Sequence, residues 1–160
     1  MKSHFKSVNE PVILCFFGDH QPVLNDTFTQ SLLKTSKNTS DLAKNQSLYA
    51  APYFIWSNYD TGMARTSNNF LVNGLNVISP NYMYSTVLDY AGLAQSPYTN
   101  YLQSLRKEIP ALNRQGYMDT SGTWHDDFGS NSLLNDYRYV QYSGMHDTKR
   151  NEQNFMIPGM

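Results

Sequence analysis

The chain has 160 residues, enough for one domain or a large piece of one. Aromatic residues make up 14% and charged residues only 16%, so a packed core is within reach and the polar surface must come mainly from Asn, Ser, Thr and Gln. A net charge of −1 lacks the basic excess that nucleic acids and anionic membrane surfaces demand, which sets those partner classes aside.

Residues 1–10 are polar and hold no apolar stretch of signal-peptide length. Residues 12–17 (VILCFF) are continuously apolar and end at Gly18. Such a run suits a strand buried on both faces, as in a parallel sheet, and Pro11 is tolerated at its start. It is far short of the roughly 20 residues that span a bilayer. The single cysteine, Cys15, lies inside this run, so it forms no internal disulfide and reads as a small buried hydrophobe. Phe28, Leu32 and Leu33 have helical spacing, whereas residues 35–45, rich in Ser, Asn, Thr and Lys, read as surface loop.

Residues 52–57 (PYFIWS) are the second strand candidate, closed by Asn58 and Asp60. Residues 60–76 are turn-rich, with weak pairing expected around residues 70–72. Ser79-Pro80 opens a helix that carries Tyr84, Val87, Leu88 and Ala91 on one face and stops at Gly92. Ser96-Pro97 repeats the signal for a helix with Tyr98, Tyr101, Leu102 and Leu105 inward, Arg106 and Lys107 in its last turn, and Pro110 beyond it. Residues 117–130 read as loop or hairpin. A last helix over residues 133–142 faces inward through Leu133, Leu134, Tyr137 and Val140, and the polar tail beyond Ser143 is expected to fray. Two strands are few for a stable parallel sheet, which suggests that neighbouring strands lie outside this chain.

Gly18-Asp19-His20 follows the first strand directly. Ligands of open α/β sheets bind beyond the carboxyl ends of strands, and Gly18 permits a sharp turn there. Asp19 offers a hard oxygen and His20 a borderline nitrogen, a pair suited to Mn²⁺ or Zn²⁺. The same residues also fit a polar turn with a hydrogen-bonded Asp and His. His125, in Trp124-His125-Asp126-Asp127, is either part of a second ligand cluster or a member of a solvated acidic loop anchored by Trp124. His4 and His146 lie in polar ends and read as inert. Neither a Gly-x-Ser-x-Gly elbow nor a Gly-rich phosphate loop occurs.

Several blocks occur in a telling order: residues 12–22 (VILCFFGDHQP), 51–60 (APYFIWSNYD), 79–93 (SPNYMYSTVLDYAGL), 96–110 (SPYTNYLQSLRKEIP) and 136–142 (DYRYVQY). Together they resemble the lipoteichoic acid synthase-like proteins of the sulfatase branch of the alkaline phosphatase superfamily. The resemblance implies an α/β fold: the C-terminal part of an alkaline phosphatase-like (sulfatase) fold, a mostly parallel sheet flanked by helices. Residues 1–145 would belong to the catalytic domain, and residues 146–160 would form a polar tail.

It further implies a metal-dependent phosphoglycerol transferase or a sulfatase-like hydrolase of phosphate or sulfate esters in cell-envelope polymer metabolism. Asp19 and His20 map onto two ligands of a divalent metal, commonly Mn²⁺, with Zn²⁺ or Mg²⁺ as alternatives. The family's threonine nucleophile and its remaining ligands precede the Gly-Asp-His strand, so no catalytic residue is assigned in this chain, and the chain by itself is expected to be inactive. A phosphoglycerol lipid or another phosphate or sulfate ester is the implied substrate of the full-length parent. Full-length members work on the extracellular face of the cell membrane. This chain itself shows neither a membrane segment nor a targeting signal.

Gln21-Pro22-Val23-Leu24 stands where the synthases continue with a Gly-x-Ser pattern, which favours the broader sulfatase-like paralogues over phosphoglycerol transfer. His125 stands where relatives carry an aromatic residue, so no role transfers to it. A non-catalytic truncated remnant, or a binding module retaining the fold, is the alternative. Exposed strand edges would also favour self-association.

Overall fold

The computed structural model of the chain describes residues 2–20, 22, 24–34, 40–62, 71–72 and 75–156. The chain divides into two units, Met1–Asn58 and Tyr59–Met160.

The N-terminal unit runs α1 (Lys2–Phe5), β1 (Ile13–Phe17), α2 (Asp26–Lys34), α3 (Asp41–Ser47) and β2 (Tyr53–Ser57). The two apolar runs become β1 and β2, and they pair with each other in antiparallel register from Ile13 opposite Ser57 to Phe17 opposite Tyr53. Phe16 stacks on Phe54 across the pair, with centroids 5.3 Å apart. Residues 41–45, expected as part of a surface loop, belong to the helix α3. Ser40 caps them by accepting the Ala43 amide at 3.2 Å, a local signal hidden in a polar stretch.

Asn58 ties the N-terminal segment to this strand pair. Its Oδ1 accepts the Val12 amide at 2.8 Å, and its Nδ2 donates to the carbonyls of Phe5, Val8 and Glu10 at 3.0–3.1 Å.

The C-terminal unit runs β3 (Leu71–Val72), β4 (Leu75–Asn76), α4 (Pro80–Tyr90), α5 (Pro97–Glu108), β5 (Ala111–Asn113), β6 (Gly116–Met118), β7 (Trp124–His125) and α6 (Ser132–His146). Its core is Tyr82, Leu102, Leu105, Ile109, Tyr117, Leu134 and Tyr137, drawn from all three helices and the β5–β6–β7 meander.

Helix boundaries follow the sequence signals. Ser96 caps α5 by accepting the Thr99 amide at 3.1 Å. α4 closes in a Schellman motif, with the Leu93 amide bonded to the Leu88 carbonyl, the Gly92 amide to Asp89, and Gly92 at φ +66°. A Cβ at Gly92 would meet the Thr61 carbonyl oxygen at an ordinary 3.8 Å, but on a left-handed backbone. Gly92→Ala is therefore expected to cost about 1 kcal/mol, read as a lower urea midpoint at unchanged slope.

Three side-chain expectations are corrected. The buried residues of α4 are Tyr82, Ser85 and Leu88, while Tyr84 is 58% exposed. The Ser79 hydroxyl makes no cap bond; it accepts the Leu112 amide and joins α4 to β5. Leu133, expected to face inward on α6, is 40% exposed. Arg106 lies in the last turn of α5 as expected; it is 3% exposed and donates to Thr86 Oγ1 at 3.0 Å, so it also joins α5 to α4.

The α/β class stands, as a mixed fold with small sheets. Among the described residues, every strand pair is antiparallel, in place of the mostly parallel sheet expected. An apolar run reports how much burial a strand needs and carries no sign of its partner's direction. Nor is β1 covered on both faces, because Phe16 and Phe17 are exposed. α6 continues past Ser143 to His146, and Phe155 beyond it lies 5.2 Å from the Tyr98 ring.

Candidate functional site

The β1–β2 ladder continues one step past β1, where the Gly18 amide donates to the Pro52 carbonyl at 3.0 Å. A Cβ on Gly18 would sit 3.0 Å from Ala51 Cβ, so glycine is what lets the strands stay close at the point where the chain turns out of the sheet. The next two residues are thereby placed at the carboxyl end of β1.

Asp19 and His20 are brought together there. Asp19 Oδ1 accepts the His20 amide at 2.9 Å, and Asp19 Oδ2 lies 3.3 Å from His20 Nε2. Both side chains face solvent, 82% exposed for Asp19 and 73% for His20. Two donors that each lie about 2.1 Å from a shared cation, at octahedral or tetrahedral angles, are roughly 3.0–3.4 Å apart. The pair therefore fits adjacent corners of one coordination sphere. Among the described residues, no group of three or more His, Cys, Asp or Glu side chains gathers at a metal-binding distance, and the pair would offer a cation two donors at most.

His125 takes a different part. Its Nε2 lies 2.8 Å from Asp119 Oδ2, and its ring stacks on Tyr117 at 5.1 Å. Asp119 Oδ1 also accepts the Ser121 and Thr123 amides and the Ser121 hydroxyl. Burial pushes the Asp119 carboxyl upward, but the hydrogen bonds from Ser121, His125 and Thr123 outweigh it and lower its pKa to about 2. The cluster closes the β6–β7 turn from inside, and its carboxylate oxygens are already spoken for by protein donors. Trp124 packs against Ala111 and Met118, which agrees with the anchoring expected of it. The remaining histidines rest on aromatic neighbours, His4 on Phe5 and His146 on Tyr142.

No family model matches the chain, and no solved structure matches it. A protein of Rhizobium meliloti (strain 1021), provisionally named as a cyclic beta-1,2-glucan modification protein, is 24% identical over 159 residues. The match covers 94% of this chain and 23% of that protein. The chain thus spans about a quarter of the length of this relative. Among the described residues, no helix is long and apolar enough to cross a membrane.

A cleft of about 570 Å³ lies in the C-terminal unit between α4, the β5–β6 turn and α6, and no sequence signal pointed to it. Arg114, Arg138, Asn81, Gln141, Tyr137 and Phe128 are among its lining residues. They are scattered over sixty positions of chain with no shared motif, so only the fold assembles them.

Proposed function

We propose that this chain is the C-terminal part of a metal-dependent transferase or hydrolase of phosphate or sulfate esters that modifies a cell-envelope polymer, with Asp19 and His20 holding one side of a divalent cation. The observation that carries the reading is the convergence of Asp19 Oδ2 and His20 Nε2 at 3.3 Å beyond the carboxyl end of β1. A carboxylate and an imidazole together favour Mn²⁺ or Zn²⁺, with Mg²⁺ a weaker match. Such an ion supplies charge neutralisation at a phosphoryl or sulfuryl oxygen and activation of a nucleophile.

Asp19 contributes the negative charge and His20 the neutral donor. Gly18 fixes where both leave the sheet. The nucleophile and the remaining ligands belong to other parts of a longer protein, as the resemblance to sulfatase-like proteins implies. Two features support this. Phe16 and Phe17 are exposed on β1, as they would be if further elements covered that strand in a parent. The antiparallel β2 is also compatible with the parent fold, because a largely parallel sheet commonly carries an antiparallel strand at its edge. The Rhizobium relative, named for glucan modification, agrees with a carbohydrate polymer on the substrate side. A phosphoglycerol lipid or a related ester at the extracellular membrane face is the donor or substrate that fits the family resemblance.

The metal step is tested by titrating Mn²⁺ into the chain and following loss of the free-ion EPR signal. Two protein ligands leave most of the sphere to water, so a dissociation constant of roughly 10⁻⁴ to 10⁻³ M is expected. The Asp19→Ala/His20→Ala double variant is expected to bind at least about ten-fold more weakly. Both side chains are solvent-facing, so the fold should survive the change. Unchanged Mn²⁺ affinity in the double variant overturns the reading.

A further inference from the structure

We propose that the cleft between α4, the β5–β6 turn and α6 is a binding site for a phosphorylated sugar. The inference stands on the cleft alone and does not depend on the metal reading.

Charge is the first argument. Arg114 and Arg138 both line the cleft, and none of its lining residues is acidic. Among the described residues, neither guanidinium forms an ion pair with a carboxylate. The two cations come from different elements, Arg114 from the β5–β6 turn and Arg138 from α6, so the fold itself brings like charges to one concavity. Like charges placed together cost free energy unless an anion joins them, and a planar guanidinium matches a phosphate in a bidentate fashion.

The second argument is the amide lining. Asn81 Nδ2 and Gln141 Nε2 donate to the Tyr137 hydroxyl at 3.1 and 2.7 Å. The phenol thus bonds both amides, one from α4 and one from its own helix α6. Burial raises the Tyr137 pKa above its ordinary value, so the phenol stays protonated at neutral pH. Asn113 and Asn135 add further amides to the lining. Side-chain amides carry both donors and acceptors and match sugar hydroxyls, which are both at once. Phe128, half-buried against the core, supplies an apolar surface for a ring face. A volume of about 570 Å³ falls in the range of small-molecule sites. A bare anion would use the arginines and leave the amides and the ring surface idle; a neutral sugar would leave the two cations without a counter-charge. A phosphorylated sugar uses all of them.

The test is a ¹H–¹⁵N correlation titration of the full chain with glucose 1-phosphate, with inorganic phosphate and glucose as parallel arms. EDTA is present throughout, so that the outcome is independent of any metal at Asp19 and His20. Saturable shifts are expected at amides around the cleft, with glucose 1-phosphate binding at least about ten-fold tighter than either parallel probe. Arg138→Ala and Arg114→Ala, both exposed positions on separate elements, are each expected to weaken it by about ten-fold or more. Inorganic phosphate binding as tightly as the sugar phosphate reduces the site to a general anion site and overturns the proposal. Equal binding of glucose, unchanged affinity in both arginine variants, or no saturable shift at millimolar ligand also overturns it.

Discussion

Leu102→Ala is expected to lower the stability of the C-terminal unit by about 2–5 kcal/mol. Leu102 is 2% exposed and lies in the one cluster that α4, α5, α6 and β6 all enter, through Tyr82, Leu105, Tyr137, Leu134 and Tyr117. Truncation removes the transfer free energy of the side chain. It also leaves a cavity in this cluster, which close-packed neighbours refill poorly. The loss is a large fraction of the total stability of a domain this size. Leu102→Met conserves volume and is expected to cost less than about 1.5 kcal/mol. Urea unfolding reports both variants. Trp124 belongs to this unit and Trp56 to the other, so a Trp56→Phe background isolates the signal. A Leu102→Ala midpoint equal to that of the unsubstituted chain would contradict the packing described for α5.

The second large effect is expected in the N-terminal unit. Asn58→Asp keeps the size and shape of the side chain and keeps the oxygen that accepts the Val12 amide. It turns the donor group that faces the Phe5, Val8 and Glu10 carbonyls into a second oxygen. The Val8 and Glu10 carbonyls lose this donor, the Phe5 carbonyl keeps only the Val8 amide at 3.3 Å, and all three face a negative charge, at a cost of about 2–3 kcal/mol. Acidification should restore part of the loss, because a protonated carboxyl can donate one hydrogen bond again. The readout is Trp56 fluorescence during urea unfolding in a Trp124→Phe background. Asn58→Asp without a shift in midpoint at neutral pH, or with a deficit that deepens on acidification, contradicts the assigned role of the amide.

Much of the local structure is legible in the residues themselves, for identifiable reasons. Ser96-Pro97 announces α5 because a hydroxyl and a preset φ answer needs that every helix start shares. Gly92 announces the end of α4 because only glycine accepts a left-handed backbone at little cost. The helix faces are harder. Tyr82, Tyr84, Val87, Leu88 and Tyr90 place apolar groups on two adjoining stripes of α4, and spacing alone does not choose between them. The choice fell to Tyr82, which enters the shared core, while Tyr84 turned to solvent. α3 was hidden because a short polar helix has little apolar periodicity to display.

The candidate site divides in the same way. Adjacency of Asp19 and His20 is written in the chain, and so is the glycine that turns them out of the strand. Their convergence at 3.3 Å follows from backbone geometry at the end of β1. His125 could be read as a ligand until Asp119 came within 2.8 Å, a contact fixed by the β6–β7 turn and invisible in the order of residues.

What the order of residues determined, then, is whatever depends on near neighbours: strand candidates, helix ends, the turn after β1, and the pairing of a carboxylate with an imidazole. Only the tertiary structure decided strand direction, which side of α4 is buried, the fate of the Ser79 hydroxyl, and the gathering of Asn81, Arg114, Arg138 and Gln141 around one cleft. Local preferences act over one or two turns of chain. Burial and like-charge juxtaposition are settled by whichever distant segments fold against one another, and no short stretch of residues contains that information.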